Sequence, residues 1–355
     1  MPGPADSHGY KGGYVPLVEV WRGDVVESVH HGAVAVADDS GRVIAAFGDP
    51  EVVTFLRSSA KPVQAMTMVA SGAAKRFGLS DAEIAVVVGS HAGEAFHLEA
   101  VRSILQRIGL DEEALRCGTH APFHRPTALR LRADGRAPTV LHNNCSGKHA
   151  GMLAQAVMLG APIDTYLRES HPVQVRIREA LARLCGLEPG AIRTAVDGCS
   201  APTFAVSLRH AAMLFARLMR RGGGAAEDAA VEHVVDAMRS HPEMVAGTDR
   251  LCSVLMALAG HGLIAKIGAE GFYCMALQGR KGGIGIALKV ADGDGRRARP
   301  AVAIETLRRL GVLGENQAAE LRPRFCPDPV SRRGRRVGRL KTCFDLGAAE
   351  GLAAS

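Results

Sequence analysis

The two ends of the chain carry short apolar segments, rich in β-branched residues and bounded by turn residues, which is typical of strands. Near the N-terminus these segments are VPLVEVWRG and HGAVAVADDSGRVIAAFGD, and the second predicts a hairpin around DDSG. Near the C-terminus they are IAKIGAEG, FYCMALQ and GIGIALKVADG, with a hairpin turn at GRKGG. The sequence therefore predicts strands at both ends of the chain.

The middle of the chain has mainly helical periodicity. A helix is expected from Ser58 to about Phe77, and it must begin near Ser58 because Pro62 is tolerated only in a first turn. The stretch IAVVVGSHAGEAFHLEAVRSILQRIG predicts a short apolar segment, a polar loop and a helix, and RPAVAIETLRRLGVL predicts a terminal helix. Loops are expected at three places between the helices: 117–127, 142–149 and 196–203.

This order of elements predicts an α+β fold, since helices and strands do not alternate along the chain. An antiparallel sheet from the N- and C-terminal strands, about 14–57 and 262–345, is expected to pack on an inserted helical cluster, about 58–261. Residues 14–345 are expected to form a single unit. Residues 1–13 are polar and rich in glycine and proline, and a disordered leader is expected there.

Composition narrows the class of protein. The chain has 355 residues, of which 47% are hydrophobic and 22% charged, as in ordinary soluble globular proteins. Much of the formal charge of +7 lies in SRRGRRVGRLK, and only 4% of residues are aromatic, so a solvated basic surface is favoured over a nucleic-acid interface. Neither a secretory leader nor a membrane-spanning run is expected. The eight cysteines are scattered, which predicts a cytoplasmic protein with reduced thiols.

RSSAKPVQAM places Ser58 and Lys61 three residues apart, so both project from one side of the first helical turn. A serine hydroxyl becomes nucleophilic when a base takes its proton, and lysine is such a base when burial or a neighbouring cation lowers its pKa. On its own, the pair is more typical of a helix cap beside a solvated lysine.

Two further segments change this interpretation. Penicillin-recognising serine enzymes use S-x-x-K at a helix start, then a serine-bearing loop, then K-T-G on a strand. Here GSHAG supplies Ser90 and AKIGAEG supplies Lys266 in the same order, although SHA replaces S-D-N and Ile267 replaces the usual threonine or serine. The ordered set favours an acyl-transfer site.

A third set of residues indicates a metal. LHNNCSGKHAGML carries Cys145 and Lys148, and VDGCSAPTF carries Asp197 and Cys199. These four side chains are candidate zinc ligands, provided that the lysine is deprotonated. The alternative is two buried cysteines in ordinary polar loops. Three histidines compete as ligands: His120, His142 and His149.

Together, RSSAKPVQA, GSHAGE, HNNCSGKHAGML, DGCSAPTFAVSL and AKIGAEG resemble the Rhizobium-type (class 3) L-asparaginases of the asparaginase II family, over about residues 17–345. The resemblance implies that a homodimer hydrolyses L-asparagine to L-aspartate and ammonia. It also implies a fold similar to serine β-lactamases and serine-type glutaminases.

The family's site contains two serine–lysine tandems, which the resemblance assigns to Ser58 with Lys61 and to Ser90 with Lys266. A zinc ion held by two cysteines and a lysine, with an aspartate close by, is assigned to Cys145, Lys148, Cys199 and Asp197. Two lysines are rivals of Lys266: Lys281 and Lys289. Four residues beside the tandems are candidate substrate contacts: Arg57, His91, Gly268 and Ala269.

The expected reaction is attack of Ser58, deprotonated by Lys61, on the side-chain amide, with Ser90 and Lys266 relaying a proton to ammonia. Ser90 is the alternative nucleophile. Glutamine or another amide is the alternative substrate, and attack by a zinc-bound water is the alternative mechanism. A zinc or nucleic-acid binder without activity is a further alternative, and Arg250 is a weaker candidate for contacting a carboxylate.

Overall fold

A computed structural model of the chain describes residues 12–222, 225–258, 262–279 and 282–346. Most of the leader expected at 1–13 lies outside the described residues. The strands are, in chain order, β1 (Val15–Arg22), β2 (Val25–Asp38), β3 (Val43–Phe47), β4 (Val53–Phe55), β5 (Arg193–Val196), β6 (Pro202–Ser207), β7 (Ile264–Ile267), β8 (Phe272–Gly279), β9 (Gly282–Val290) and β10 (Arg339–Thr342).

The helices lie mostly between β4 and β7. In chain order they are α1 (Lys61–Ala70), α2 (Ala73–Arg76), α3 (Asp81–Val88), α4 (Ala95–Arg107), α5 (Arg125–Ala133), α6 (Ser146–Met158), α7 (Pro172–Cys185), α8 (Leu208–Leu218), α9 (Ala226–Ser240), α10 (Pro242–Val245), α11 (Leu251–Leu258), α12 (Ala298–Arg309) and α13 (Glu315–Phe325). No helix in the described part of the chain is long and apolar enough to cross a membrane.

Strands from both ends of the chain form one antiparallel sheet in the order β10-β1-β2-β9-β8-β7, and β3 also pairs with β2. β2 is the central strand because its first half pairs with β1, while its second half lies between β3 and β9. Its run Ala33–Ala37 is fully buried, as expected for a strand covered on both faces. The predicted α+β fold is thereby confirmed.

Several segments differ from the predictions, among them the loop expected at 142–149, because α6 begins at Ser146. IAVVV, predicted as a short apolar segment, lies in α3, which begins at a capping box between Ser80 and Glu83. Part of the loop expected at 196–203 belongs to a second, three-stranded sheet in the order β4-β6-β5. The basic stretch 331–341 is not only surface, because it contributes most of β10, which pairs with β1.

Two helices cover the large sheet. α8 packs on β2, β8 and β9, and α12 packs on β1, β8, β9 and β10. The approach of α8 is close because β9 presents Gly283 and Gly285 to it. A Cβ atom at Gly285 would lie 1.8 Å from the carbonyl oxygen of Ala212, and one at Gly283 would lie 1.9 Å from that of Ala216. Only glycine permits this contact between backbones.

The helical cluster is built around α1, which contacts α3, α6, α7 and α9. A 3₁₀ turn, Arg57–Ala60, precedes α1 and contacts β6, β7 and β8. The start of α1 therefore lies at the junction of the helical cluster with both sheets.

Replacing Gly285 by alanine is expected to destabilise the protein by about 3 kcal/mol, because the added methyl group forces α8 away from β9. The matched control is Gly190→Ala, where a Cβ atom meets nothing within 4 Å, and its effect should stay within about 0.5 kcal/mol. Urea unfolding of both variants measures the difference. Equal unfolding free energies for the two variants would contradict the close approach of α8.

Candidate active site

The predicted helix start supplies two residues of the site, Ser58 and Lys61. The 3₁₀ turn Arg57–Ala60 carries Ser58, and α1 follows from Lys61 with Pro62 in its first turn, as predicted. The helix ends at Ala70 rather than continuing unbroken to Phe77, and α2 follows separately. Ser58 is half-buried, whereas Lys61 is 1% exposed.

Three elements bring two lysines to one serine. Lys61 on α1 lies with its Nζ 3.1 Å from Ser90 Oγ, and Lys266 on β7 lies with its Nζ 2.8 Å from the same oxygen. Ser90 itself follows α3 in the loop that begins at Gly89. Lys61 Nζ also contacts the carbonyl oxygens of Gly89 and Asn144, at 2.5 and 3.2 Å. Lys61, Ser90 and Lys266 are thus one connected hydrogen-bonded group.

The surroundings of these lysines favour the neutral amine. Burial lowers the pKa of Lys61; the sulfur of Cys145 partly offsets this effect, and the charge of Lys148 adds to it. Burial, followed by the charge of Lys61, holds the pKa of Lys266 well below its ordinary value. A buried lysine with a lowered pKa can serve as a general base near neutral pH.

Of the two predicted rivals of Lys266, the structure describes only Lys289, which does not contact Ser90. Lys281 lies outside the described residues. Lys289 is buried on β9 and donates to the carbonyl oxygen of Val290, not to Ser90.

Ser58 lines a cleft of about 240 Å³, and Ser90 does not. The Ser58 hydroxyl makes no hydrogen bond to any residue that the structure describes, including Lys61, so it is free to approach a ligand. The cleft is lined by Arg57, Ser58, His120, Phe123, Asn143, Asn144, Cys145, Asp197, Gly198, Cys199 and Ala269.

Backbone strain concentrates at this cleft. Three residues other than glycine have positive φ in the described residues: Arg57 at 50°, Ser200 at 67° and Glu270 at 56°. Each is in the lining or next to a residue that is. Such conformations persist where the surrounding contacts hold them, and they cluster at functional sites.

Arg57 is held by Asp197. The Asp197 carboxylate accepts hydrogen bonds from Arg57 Nε at 2.9 Å and from the Gly198 amide at 2.7 Å. Burial would raise the pKa of Asp197, but the charges of Lys148 and Arg57 outweigh burial and lower it. Asp197 therefore fixes the turn that carries Ser58, and its predicted role as a metal ligand stays a prediction.

The two cysteines and the lysine of the predicted metal site come together. Lys148 Nζ donates to Cys199 Sγ at 2.8 Å. A hydrogen bond from the Cys199 thiol holds the pKa of Cys145 well below its usual value and raises that of Cys199. Burial lowers the pKa of Lys148, but the two sulfurs outweigh burial and raise it.

These three side chains fit the donor set of a zinc ion with one open position, namely two sulfurs and one nitrogen beside a cleft. One of the three is a lysine. Among the described residues, no group of three or more histidine, cysteine, aspartate or glutamate side chains is placed to hold a metal. Two of the competing histidines are engaged elsewhere: His142 Nδ1 accepts from the Thr139 amide, and His149 Nδ1 lies 2.6 Å from Tyr166 Oη. The third, His120, lines the cleft, where its Nε2 accepts from the Asn144 amide at 2.9 Å.

The predicted substrate contacts divide into two groups. Arg57 and Ala269 line the cleft. Gly268 is buried next to them, and a Cβ atom there would lie 2.9 Å from the Leu56 carbonyl oxygen. His91 is fully buried behind Ser90, with its Nε2 2.9 Å from Ser146 Oγ, and burial holds its pKa well below the usual value. Contact of His91 with substrate stays a prediction.

Asn144 is a site residue that the sequence analysis did not single out. Its carbonyl oxygen contacts Lys61, and its backbone amide donates to His120 Nε2 at 2.9 Å. It stands beside Cys145 in the motif HNNCSGKH, so its position in a polar loop next to a candidate ligand is the signal that could have found it.

Two residues of the cleft lining also have unpaired backbone amides among the described residues. The N–H groups of Ser58 and Ala269 make no hydrogen bond within the described ranges, although both residues line the cleft. Free amides beside a nucleophile can stabilise an oxyanion.

The chain is similar to one protein family and, at low identity, to several solved structures. The family described as L-asparaginase II matches residues 18–342. No curated protein matches the chain. Mglu in its native form has 16% identity over 79% of this chain and 65% of the Mglu chain, with a TM-score of 0.44. A Bacillus glutaminase has 13% identity over 79% of this chain and 91% of its own, with a TM-score of 0.38.

The chain spans just under two thirds of the length of the Mglu chain. The family match extends over nearly all of the present chain, from the first strand of the large sheet to its last. The chain therefore belongs to the L-asparaginase II family.

Proposed function

We propose that the protein hydrolyses L-asparagine to L-aspartate and ammonia through an ester formed on Ser58. The observation that carries the proposal is that the two serines differ in exposure and in hydrogen bonding. Ser58 lines the cleft without a hydrogen-bond partner in the described part of the molecule, whereas Ser90 is 4% exposed and is held between two lysines. The cleft, at about 240 Å³, suits a free amino acid amide.

The lysines supply the base. Lys61 Nζ has three polar neighbours. As an ammonium group, Lys61 would donate one proton to each of them, so it can accept a proton only as the neutral amine. Lys266 has the more strongly lowered pKa and lies at the other side of Ser90. Because its hydroxyl oxygen contacts both amines, Ser90 can pass a proton between Lys61 and Lys266.

The proposed reaction has two halves. Ser58 Oγ attacks the amide carbon while Lys61 accepts the hydroxyl proton, and a proton moves through Ser90 to Lys266. The amides of Ser58 and Ala269 hold the oxyanion. The C–N bond then breaks, ammonia leaves with the proton returned along the same path, and water hydrolyses the ester by the same steps.

Cys145, Cys199 and Lys148 would hold the zinc ion that the family resemblance implies. When bound, the ion would supply a positive charge that orients the carboxylate of the substrate. No step of proton transfer depends on it, because Lys61, Ser90 and Lys266 form a continuous path. A homodimer and a cytoplasmic location stay predictions of the resemblance.

Replacing Ser58 by alanine is expected to lower ammonia release from asparagine by at least about a thousandfold, since the nucleophile is lost. Ser90→Ala should also be slow, because the relay is broken, yet it should still accumulate an acyl group on Ser58. Peptide mass spectrometry of acid-quenched enzyme locates that group. An acyl group on Ser90, or turnover by Ser58→Ala, would contradict the assignment of the nucleophile.

The same assay with glutamine tests the substrate. One extra methylene in a small pocket changes transition-state binding by only about 1–3 kcal/mol. We therefore expect glutamine to react more slowly than asparagine without being excluded. A higher kcat/KM for glutamine would identify the protein as a glutaminase with the same mechanism.

The pH profile tests the lysine relay. Because only the neutral amine accepts a proton, kcat/KM should be level at neutral pH and fall as acid protonates the relay, far below the ordinary lysine pKa of about 10.4. Lys266→Arg, which cannot lose its proton, should reduce kcat about a hundredfold or more. Lys289→Arg, a buried lysine that contacts neither serine, is the matched control. A rate that rises only above about pH 10 would exclude the relay.

Removal of the metal tests its role. Chelation, or Cys199→Ser, should raise KM for asparagine about tenfold with a smaller effect on kcat, because the metal orients the substrate. Cys343→Ser, a half-buried cysteine outside the cleft, is the control. Zinc content is measured alongside the kinetics. An unchanged KM in zinc-depleted enzyme would refute this role.

A further inference from the structure

A second cavity lies next to the candidate active site. Its volume is about 310 Å³, and it contains neither serine of the site. Its buried floor includes Cys252 and Tyr273, while Asp249 and Arg324 are exposed at its mouth. The lining residues are Ala246, Asp249, Arg250, Leu251, Cys252, Ile267, Tyr273, Gly295, Arg296, Arg299, Pro300, Arg324 and Phe325.

The charge of this cavity is unbalanced. Four of its lining residues are arginines and one is a carboxylate, Asp249, which pairs with Arg324 at 2.6 Å. The guanidinium groups of Arg250, Arg296 and Arg299 form no ion pair with any carboxylate in the described ranges. Positive groups gathered without counter-ions at a concave surface indicate a site for an anion.

Arg299 shows the imbalance most clearly. Its guanidinium donates to the carbonyl oxygens of Gly268 at 3.2 Å and Gly295 at 3.0 Å, while its buried Nε has no hydrogen-bond partner among the described residues. Arg250 and Arg299 line the same cavity, so both guanidinium groups can meet one ligand there. The Nε–H donor is available to a ligand.

The carboxylate of Asp294, next to the lining residue Gly295, already accepts hydrogen bonds from backbone amides. Asp294 Oδ1 accepts hydrogen bonds from the backbone amides of Arg296, Arg297 and Ala298, and so caps the start of α12. The amides at the start of α12 are therefore not the donors for an anion. The arginine side chains are the charged donors that line the cavity.

Two residues that line the cavity, Arg250 and Arg299, contact segments that line the cleft. The Arg250 guanidinium lies 5.5 Å from the ring centroid of Phe123, which lines the cleft. Arg299 donates to the carbonyl oxygen of Gly268, and the next residue, Ala269, lines the cleft. A ligand that moves either guanidinium would move a wall of the cleft.

We propose that this cavity binds a small organic carboxylate between Arg250 and Arg299, and that its occupancy changes turnover in the neighbouring cleft. A guanidinium group matches a carboxylate with two parallel hydrogen bonds. The apolar walls formed by Leu251, Ile267 and Phe325 suit a short carbon chain better than a bare inorganic ion. The binding part stands without the proposed asparaginase activity; the effect on turnover rests on it.

Calorimetric titration of the full-length protein with succinate tests binding, since succinate lacks the amino group and amide of the substrate. We expect saturable binding to the wild type and to Ser58→Ala, and at least about tenfold weaker binding to Arg250→Gln. Arg132→Gln, which removes an exposed arginine on α5, should bind like the wild type. L-Aspartate and inorganic phosphate are titrated in parallel: binding of aspartate as well would identify the reaction product as one source of the ligand.

Several results would overturn the proposal. Absence of succinate binding, or equal binding by Arg250→Gln, would remove the site. Phosphate binding as tight as succinate would refute the carboxylate assignment. Succinate should change kcat at saturating asparagine in the wild type but not in Arg250→Gln, and purely competitive inhibition would place succinate in the cleft instead. If the protein released no ammonia, the proposed function would fail while calorimetry still decided the cavity.

Discussion

The sharing of one hydroxyl oxygen by two buried lysines is the constraint on which the site depends. Lys61 and Lys266 both lie within hydrogen-bond distance of Ser90 Oγ, and each is at most 1% exposed. Two ammonium groups so close and so far from water repel each other and lose hydration, so the arrangement favours one neutral amine. It also requires the whole fold, because α1, the loop after α3 and strand β7 each supply one of the three groups. The junction between helices and sheet is where such a meeting is possible.

The strain around the cleft follows from the same junction. Arg57 adopts a left-handed backbone conformation directly before Ser58. Its guanidinium donates to the carboxylate of Asp197, which directly follows β5 of the three-stranded sheet. The sulfurs of Cys145 and Cys199 balance the charge of Lys148 only a short distance from the lysine relay. A dry site can thus contain three lysines because one is paired with sulfur and two share a serine. Groups on rigid, strained elements are pre-organised, which is what the proposed attack on a small amide requires.

Periodicity and turn signals were sufficient for the strands at both ends and for the order of the segments that carry the candidate site. Ser58, Lys61, Ser90 and Lys266 could be named from the sequence because each stands in a short motif on a predictable element. The apolar run in α3 was predicted only as a short apolar segment, because an apolar run of this length does not distinguish a strand from a buried helix. The capping box at Ser80 and Glu83 was the local signal for a helix. Contacts between distant segments, such as Lys61 with Ser90, could not be derived from spacing, because tertiary packing sets them.

The protonation state of the relay is the most direct test of this account. Lysine labelled with ¹³C at the ε carbon reports by NMR whether each amine is charged, and Lys266→Arg assigns its resonance. The account predicts that at pH 7 one resonance, lost in Lys266→Arg, has the shift of a neutral amine and titrates far below the ordinary lysine pKa of about 10.4. If every lysine resonance had the shift of an ammonium group at pH 7, the lysine relay would be contradicted.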